Sequence, residues 1–379
     1  MSLSQSASQA QTGQLAIVGA GMLGLAHAYA AARRGYQVTV FERDSRAIGA
    51  SVRNFGLGLL LGQAQGECFT LAASTLASWR ELLPKLGIWH KQAGSLMLAR
   101  NRHEAALLSC FQELLGSAYQ TRLLSQTELA QQQFQAESGL YSPHEIGFAS
   151  VELIPRFSQY LQQEFGVTIH YGCAVHGFEQ HRLHTAQGCF DAEQILICSG
   201  HEFRHLLPEL YKHTGLQLCS LQMQKVKIQP RQIAPSLLTG LSCLHYASFQ
   251  QHAELRELGA AYQAELQNQC PRLLEHGIHL IVQQLNEPGY LLIGDTHRYG
   301  DHAEIWQDAA SDALLRQLTA DLLGCEVQAY QHWQGVYASG KQPYYVLDAM
   351  PGVRAIHMGA GIGMSLGLAL AAKVVESLT

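Results

Sequence analysis

Residues 15–24 read LAIVGAGMLG. Leu15, Ala16, Ile17 and Val18 form a short apolar run of the kind that fills a buried strand. Gly19, Gly21 and Gly24 follow in G-x-G-x-x-G spacing, and residues 25–34 continue Ala-rich without Pro or Gly, as a helix would. The first glycine of such a turn permits the tight bend, the second lets a pyrophosphate approach the backbone, and the third lets helix and strand pack closely. The helix N-terminus then offers unpaired N–H groups and partial positive charge to phosphates. A second apolar strand over 37–41 ends at Glu42, where a carboxylate would meet ribose hydroxyls. An acid there disfavours a 2′-phosphate, which points to FAD or NAD rather than NADP.

Composition limits the rest. A chain of 379 residues is long enough for a large core and two domains. With 15% charged residues and a net charge of −5, it has no electrostatic case for nucleic acid or an anionic membrane. No apolar run is long enough to span a bilayer. Residues 1–13, rich in Ser, Gln and Ala, lack the basic and apolar regions of a signal peptide and are expected to be a disordered tail. The nine cysteines are odd in number and scattered, with no C-x-x-C. That suits reduced thiols in a cytoplasm better than a disulfide framework or a zinc site. The histidines are dispersed as well. His181/His184 and His201/His205 have ligand-like spacings without a supporting cluster, so no metal is expected.

Beyond Glu42 and Arg43, residues 48–56 read IGASVRNFG. This stretch is either a plain surface loop or a backbone segment lying against the cofactor, with Ser51, Arg53 and Asn54 as polar contacts. Periodicity predicts helices over 67–87, 102–117, 155–165, 253–270 and 306–323, with Trp79 on an apolar stripe that reads as core. Ser125 and Glu128 have capping-box spacing, and Pro155 is expected in a first helical turn. Strands are expected over 93–99, 166–171 and 194–198, then over 222–228, 241–247, 278–283 and 290–293 in a mixed or antiparallel sheet. Residues 333–338 and 353–358 add two more. A second Gly-rich turn, with Gly359, Gly361, Ile362, Gly363 and Met364, opens a terminal helix. Its N–H groups suit the pyrimidine end of a reduced flavin, and tight packing alone is the alternative.

The G-x-G-x-x-G turn, the Glu42-Arg43 pair after the second strand and the GAS-type loop resemble the FAD-dependent D-amino-acid oxidase and glycine/sarcosine oxidase superfamily, from residue 14 onward. GASVRNFG with Gly62-Gln63 looks most like a subgroup of proposed aminophosphonate-oxidising flavoproteins. The resemblance implies an α/β fold: a Rossmann-type, GR2-like FAD-binding domain plus an α+β substrate domain on a mixed or antiparallel sheet. It divides the chain into 14–90, 145–215 and 330–379 for FAD and 91–144 and 216–329 for substrate. It also places Val175 near the adenine and returns Ser199 and Gly200 to the nucleotide.

The chemistry implied is hydride transfer from a C–H beside an amine nitrogen, followed by imine hydrolysis. Many amino-acid-oxidising relatives carry an Arg two residues after the Gly of the W-x-G loop; here Tyr337 stands there. Arg53, His297 and Lys341 remain as anion partners, with Tyr246 and Tyr337 as pocket hydroxyls. Gly335 replaces the Cys of covalent flavoproteins, so the FAD is expected to be non-covalent. Leu292 stands where sarcosine oxidases place an oxygen-activating Lys, which leaves O2 and another electron acceptor both open. The expected substrate is a small amine bearing an anionic group, such as a 2-aminoethylphosphonate derivative. The alternatives are a glycine, sarcosine or D-amino-acid oxidase or dehydrogenase, and a non-catalytic flavin-binding redox module.

Overall fold

The computed structural model describes residues 13–378, so the expected tail over 1–13 lies outside the described residues except for Gly13. Its first layer is a six-stranded sheet in the order Tyr344–Met350, Val353–Met358, Gln194–Ile197, Gln14–Val18, Gln37–Phe41, Thr168–His170. Five strands run parallel, and Tyr344–Met350 is an antiparallel edge. Leu15 and Ile17 bury into one apolar cluster while Ala16 and Val18 bury into another, as in a parallel strand covered on both faces. The helix Met22–Ala32 follows the first strand directly and packs against the terminal helix Gly363–Glu376. Both ends of the chain therefore meet on one face of this sheet.

The second layer is a nine-stranded sheet whose longest members are Gln217–Lys227 and Gln328–Ser339. These two pair antiparallel along nearly their whole length. The boundary expected at residue 330 therefore falls inside a strand of the second sheet. Cross-strand pairing with Gln217–Lys227 holds that strand there, although the chain returns to the first sheet at Tyr344.

Two local expectations need correction. Residues 241–247 are not a strand; the chain turns through 3-10 segments Gly240–Leu244 and Ala247–Gln250, and the strand is Ser236–Thr239. Leu241 and Cys243 are buried and mimic strand alternation, but the Ser242 carbonyl accepts from both the His245 and Tyr246 N–H, which closes a turn. The helix expected to begin at Pro155 begins at Ser150 and holds Pro155 inside it. The Ser150 hydroxyl donates to the Asn54 carbonyl at 2.9 Å, which pins the first turn against the 48–56 loop. The capping box forms as expected: Glu128 N–H donates to Ser125 Oγ, and Ser125 N–H to Glu128 Oε2 at 2.8 Å.

Candidate active site

The first glycine turn is closed by backbone sterics. Gly19 has φ +102°, and a Cβ on it would stand 2.5 Å from the Cys198 carbonyl oxygen. A Cβ on Gly24 would stand 1.8 Å from the Gly19 carbonyl oxygen, so only glycine lets helix and strand approach this closely. Gly21 faces Ser51, whose Oγ accepts the N–H of Met22 at the helix N-terminus. The buried Glu42 carboxylate accepts from Ala20 N–H at 2.9 Å and from Asp44 N–H at 3.1 Å. A carboxylate has about four lone-pair sites, so it keeps capacity for a ribose hydroxyl.

Residues around this turn converge on it. Cys173 N–H donates to the Glu42 carbonyl, which brings Val175 beside the second strand's end. Arg43 pairs with Glu202 at 3.2 Å, just beyond Ser199 and Gly200. The Gly200 carbonyl accepts from His357 Nδ1 at 2.9 Å, and the other ring nitrogen meets the Tyr211 hydroxyl at 2.5 Å. Burial holds His357 down to about 4, so it ties the two strand ends together as a neutral ring. Asn54 is a correction. Its Oδ1 accepts from Gly56 N–H and its Nδ2 donates to the Ala50 carbonyl, so the side chain shapes its own loop instead of standing as a free cofactor donor.

The second glycine turn is held equally firmly. Gly359 donates to the Pro343 carbonyl and accepts from Gly340 N–H, both at 2.9 Å. Ile362 caps the terminal helix before Gly363 and Met364. Trp79 is fully buried and donates its indole N–H to the Met364 carbonyl at 2.8 Å, which confirms it as core. Both turns thus leave open backbone where the cofactor of a two-ended nucleotide site would lie, and the donors, acid and glycines present fit FAD.

One face of the second sheet looks toward these turns. Cys219 lies opposite both Tyr299 and Tyr337, and Leu221 lies opposite Gly335. A Cβ on Gly335 would stand 3.3 Å from the Arg53 carbonyl oxygen, and one on Gly294 would stand 3.3 Å from the Phe55 ring. The Tyr337 ring lies 3.5 Å from the corresponding point on Gly361. The other face carries Gln222 and Gln224, which bond to Asp312 on the helix Ala309–Leu323. The sheet is therefore committed to a helix on one side and free to face the flavin turn on the other.

Tyr246, His297 and Tyr337 come together there. Ring centroids are 6.4 Å apart for His297 and Tyr337, and 5.7 Å for Tyr246 and His279. His245, His279 and His297 stack in near-parallel planes, with centroids 4.7 Å apart for His279 and His297. Asp295 lies beneath, 3.2 Å from His279 and 3.7 Å from His297 through the Nε2 atoms. Burial raises Asp295 to about 6 and Cys219 to about 12, lowers His245 to about 4, and drives Tyr337 well up and His279 well down. Arg53 donates to the Gln334 carbonyl at 3.1 Å, one strand position from Gly335. Lys341 is exposed on the loop that bonds to Gly359 and makes no contact with the histidine cluster.

His245, His279, Asp295 and Tyr299 escaped the sequence analysis. The only trace was the D-T-H run after a strand, a spacing too common to single out. His279, Asp295 and His297 each offer one ligand atom, all within 4.8 Å of one another. The two imidazoles are stacked with an interplanar angle of 25°, however, so their in-plane lone pairs run side by side instead of converging on one ion.

A search of curated protein sequences finds no match. Solved structures are similar in fold. Glycine oxidase from Geobacillus kaustophilus superposes with TM-score 0.74 at 18% identity, over 97% of this chain and 95% of that one. L-proline dehydrogenase from P. horikoshii gives 0.75 at 15% identity, over 97% and 94%. Iminodiacetate oxidase from Chelativorans sp. BNC1 gives 0.72 at 14% identity, over 96% of each. The model of the family described as DAO, FAD dependent oxidoreductase, matches residues 14–377. The glycine turns, the acid after the second strand and this match along the chain agree: the protein belongs to the DAO family of FAD-dependent oxidoreductases.

Proposed function

We propose that this flavoprotein oxidises a small primary or secondary amine that also carries an anionic group, with an aminophosphonate such as 2-aminoethylphosphonate or its N-methyl derivative as the best-fitting class. The observation that carries this is the placement of Tyr337. It lies against the flavin turn, where many amino-acid-oxidising relatives place an Arg; Arg53 bonds the nearby Gln334 carbonyl, and Lys341 follows on the next loop. A guanidinium fork grips carboxylate and phosphate alike, so without it at this place the substrate anion would be left to separated cations and hydroxyls.

Bound FAD would supply a two-electron acceptor for hydride. Glu42 and the two glycine turns would hold its ends. Tyr337 and Tyr246, kept protonated by burial, would donate hydrogen bonds to the substrate. The packed sheet face would exclude water while the C–H bond is broken, and the imine so formed would hydrolyse afterwards.

Solved structures of similar fold include a glycine oxidase and an iminodiacetate oxidase, which favours α-amino acids as a second reading. The test mixes holoenzyme anaerobically with 2-aminoethylphosphonate, its N-methyl derivative, glycine, sarcosine and D-alanine while the oxidised flavin band near about 450 nm is followed. Bleaching by the phosphonates at lower concentrations is expected. Bleaching by α-amino acids alone would replace the first reading with the second. Reoxidation in air against an artificial acceptor then separates oxidase from dehydrogenase.

A further inference from the structure

The histidine cluster fixes its own proton positions. His297 Nδ1 lies 2.9 Å from the Gly277 carbonyl oxygen. A carbonyl only accepts, so Nδ1 carries a hydrogen, and in a ring that holds that one proton Nε2 is a bare acceptor. That nitrogen faces Asp295 Oδ2, also an acceptor, at 3.7 Å. The gap is too long for a hydrogen bond, as expected of two lone pairs with nothing between them. Asp295 Oδ1 is buried and also lacks an aligned donor, although His279 Nε2 is 3.2 Å away. No Arg or Lys contacts Asp295 among the described residues.

We propose that His297 and Asp295 are a one-proton acceptor built beside the flavin turn, and that it takes the proton an ammonium substrate must lose before its C–H bond is oxidised. The second half rests on the amine-oxidation reading above. In this step the ammonium N–H bond breaks and its electron pair stays on nitrogen. The proton passes into the gap between His297 Nε2 and Asp295 Oδ2. The freed nitrogen pair is then available to form the C=N bond, for which bound FAD would supply the acceptor of the adjacent hydride.

The surroundings favour this use. The titratable groups facing the pair are His245 and Tyr246 from the 240–250 turns, His279 from the loop before Ile281–Gln284, Tyr299, Cys219 and Tyr337. Burial keeps His245 and His279 neutral and the tyrosines and thiol protonated, so none of them supplies charge to Asp295. Only a proton on the pair neutralises it. His245 is stacked on both other rings, which desolvates its inner side, and keeps one edge open to solvent, so the pair lies one layer beneath that edge.

Two measurements decide the proposal. In holoenzyme labelled with 15N-histidine and free of amine, one imidazole signal, missing in His297→Gln, should gain a single proton as the pH falls, and in Asp295→Asn that proton should be taken up only at lower pH. No such signal, or the same titration in Asp295→Asn, overturns the pair. Anaerobic flavin reduction by 2-aminoethylphosphonate, its N-methyl derivative and sarcosine should slow roughly 10–100-fold near neutral pH in Asp295→Asn. The rates should converge with wild type in alkali, where the amine has shed its proton unaided. Equal slowing at every pH would show a merely structural role and overturn it. If none of the three amines reduces wild type, the amine reading fails, and the NMR titration alone judges the pair. Should Asp295→Asn not fold, His297→Gln carries the same kinetic comparison.

Discussion

The α-carbon of Gly24 stands so close to Gly19 that a Cβ there would lie 1.8 Å from the Gly19 carbonyl oxygen. The obstacle is backbone, which cannot rotate away as a side chain can. Gly24→Ala is therefore expected to push the helix Met22–Ala32 off the first strand, at roughly 2–3 kcal/mol or more. Thermal melts with and without added FAD check this. The variant should purify with little flavin and melt well below wild type.

Glu42 should matter for the cofactor more than for the fold. Glu42→Ala removes the acceptor of the Ala20 N–H as well as any ribose contact. FAD retention should weaken by about 1–3 kcal/mol. Flavin occupancy after dialysis reads it directly, and occupancy equal to wild type would remove Glu42 from the ribose.

Asp295 gives stability a pH dependence with a defined sign. Its folded pKa is raised to about 6 by burial, above the roughly 3.9 of an unfolded Asp. The folded state thus binds the proton more tightly than the unfolded state. The Asp295 contribution should rise as the pH falls through about 6, with its burial penalty fully present above it, while the buried neutral histidines contribute in the opposite direction. Between pH 8 and pH 5 the gain should be about 1 kcal/mol and absent in Asp295→Asn. Urea midpoints at the two pH values measure it. An Asp295→Asn midpoint that shifts between the two pH values by the same amount as the wild-type midpoint would contradict the environment described for Asp295.

Trp79 ties the core to the second glycine turn through its hydrogen bond to Met364. Trp79→Phe leaves that carbonyl without its donor and opens a small cavity, at roughly 2–3 kcal/mol. The loosened turn should also release flavin faster. A lowered melting temperature with unchanged flavin release would confine Trp79 to packing.

Arg53 and Lys341 separate binding from chemistry. Replacing either with Ala should raise KM for an aminophosphonate about tenfold, since one charge-assisted contact contributes about 1.5–3 kcal/mol. The limiting rate of flavin reduction should change little. An unaffected KM in both variants would move the anion subsite elsewhere, with His297 and Tyr337 the next residues to examine.

The nucleotide half was legible because its signals are local. The strand, the spaced glycines and Glu42 lie within one short stretch, and each acts through its own backbone geometry. The segment 241–247 misled because Leu241, Ser242 and Cys243 alternate apolar and polar as a strand would, while the turn closed on the buried Ser242 is a hydrogen-bond pattern that hydropathy does not register. That same turn delivers His245 and Tyr246 to the site, and Ser242 Oγ to within 3.2 Å of His279.

By itself, then, the sequence determined the two glycine turns, the acid that ends the second strand, and the tyrosine two residues after Gly335. These depend on backbone conformations that only certain residues tolerate, and neighbours along the chain reveal them. Only the tertiary structure decided that His245, His279, Asp295 and His297 share one stack beside Tyr337. Their partnership depends on which strands pair and in what register, with Cys219 opposite both Tyr299 and Tyr337. These pairings join residues 80 and 118 positions apart, and long-range packing sets them, not local propensity.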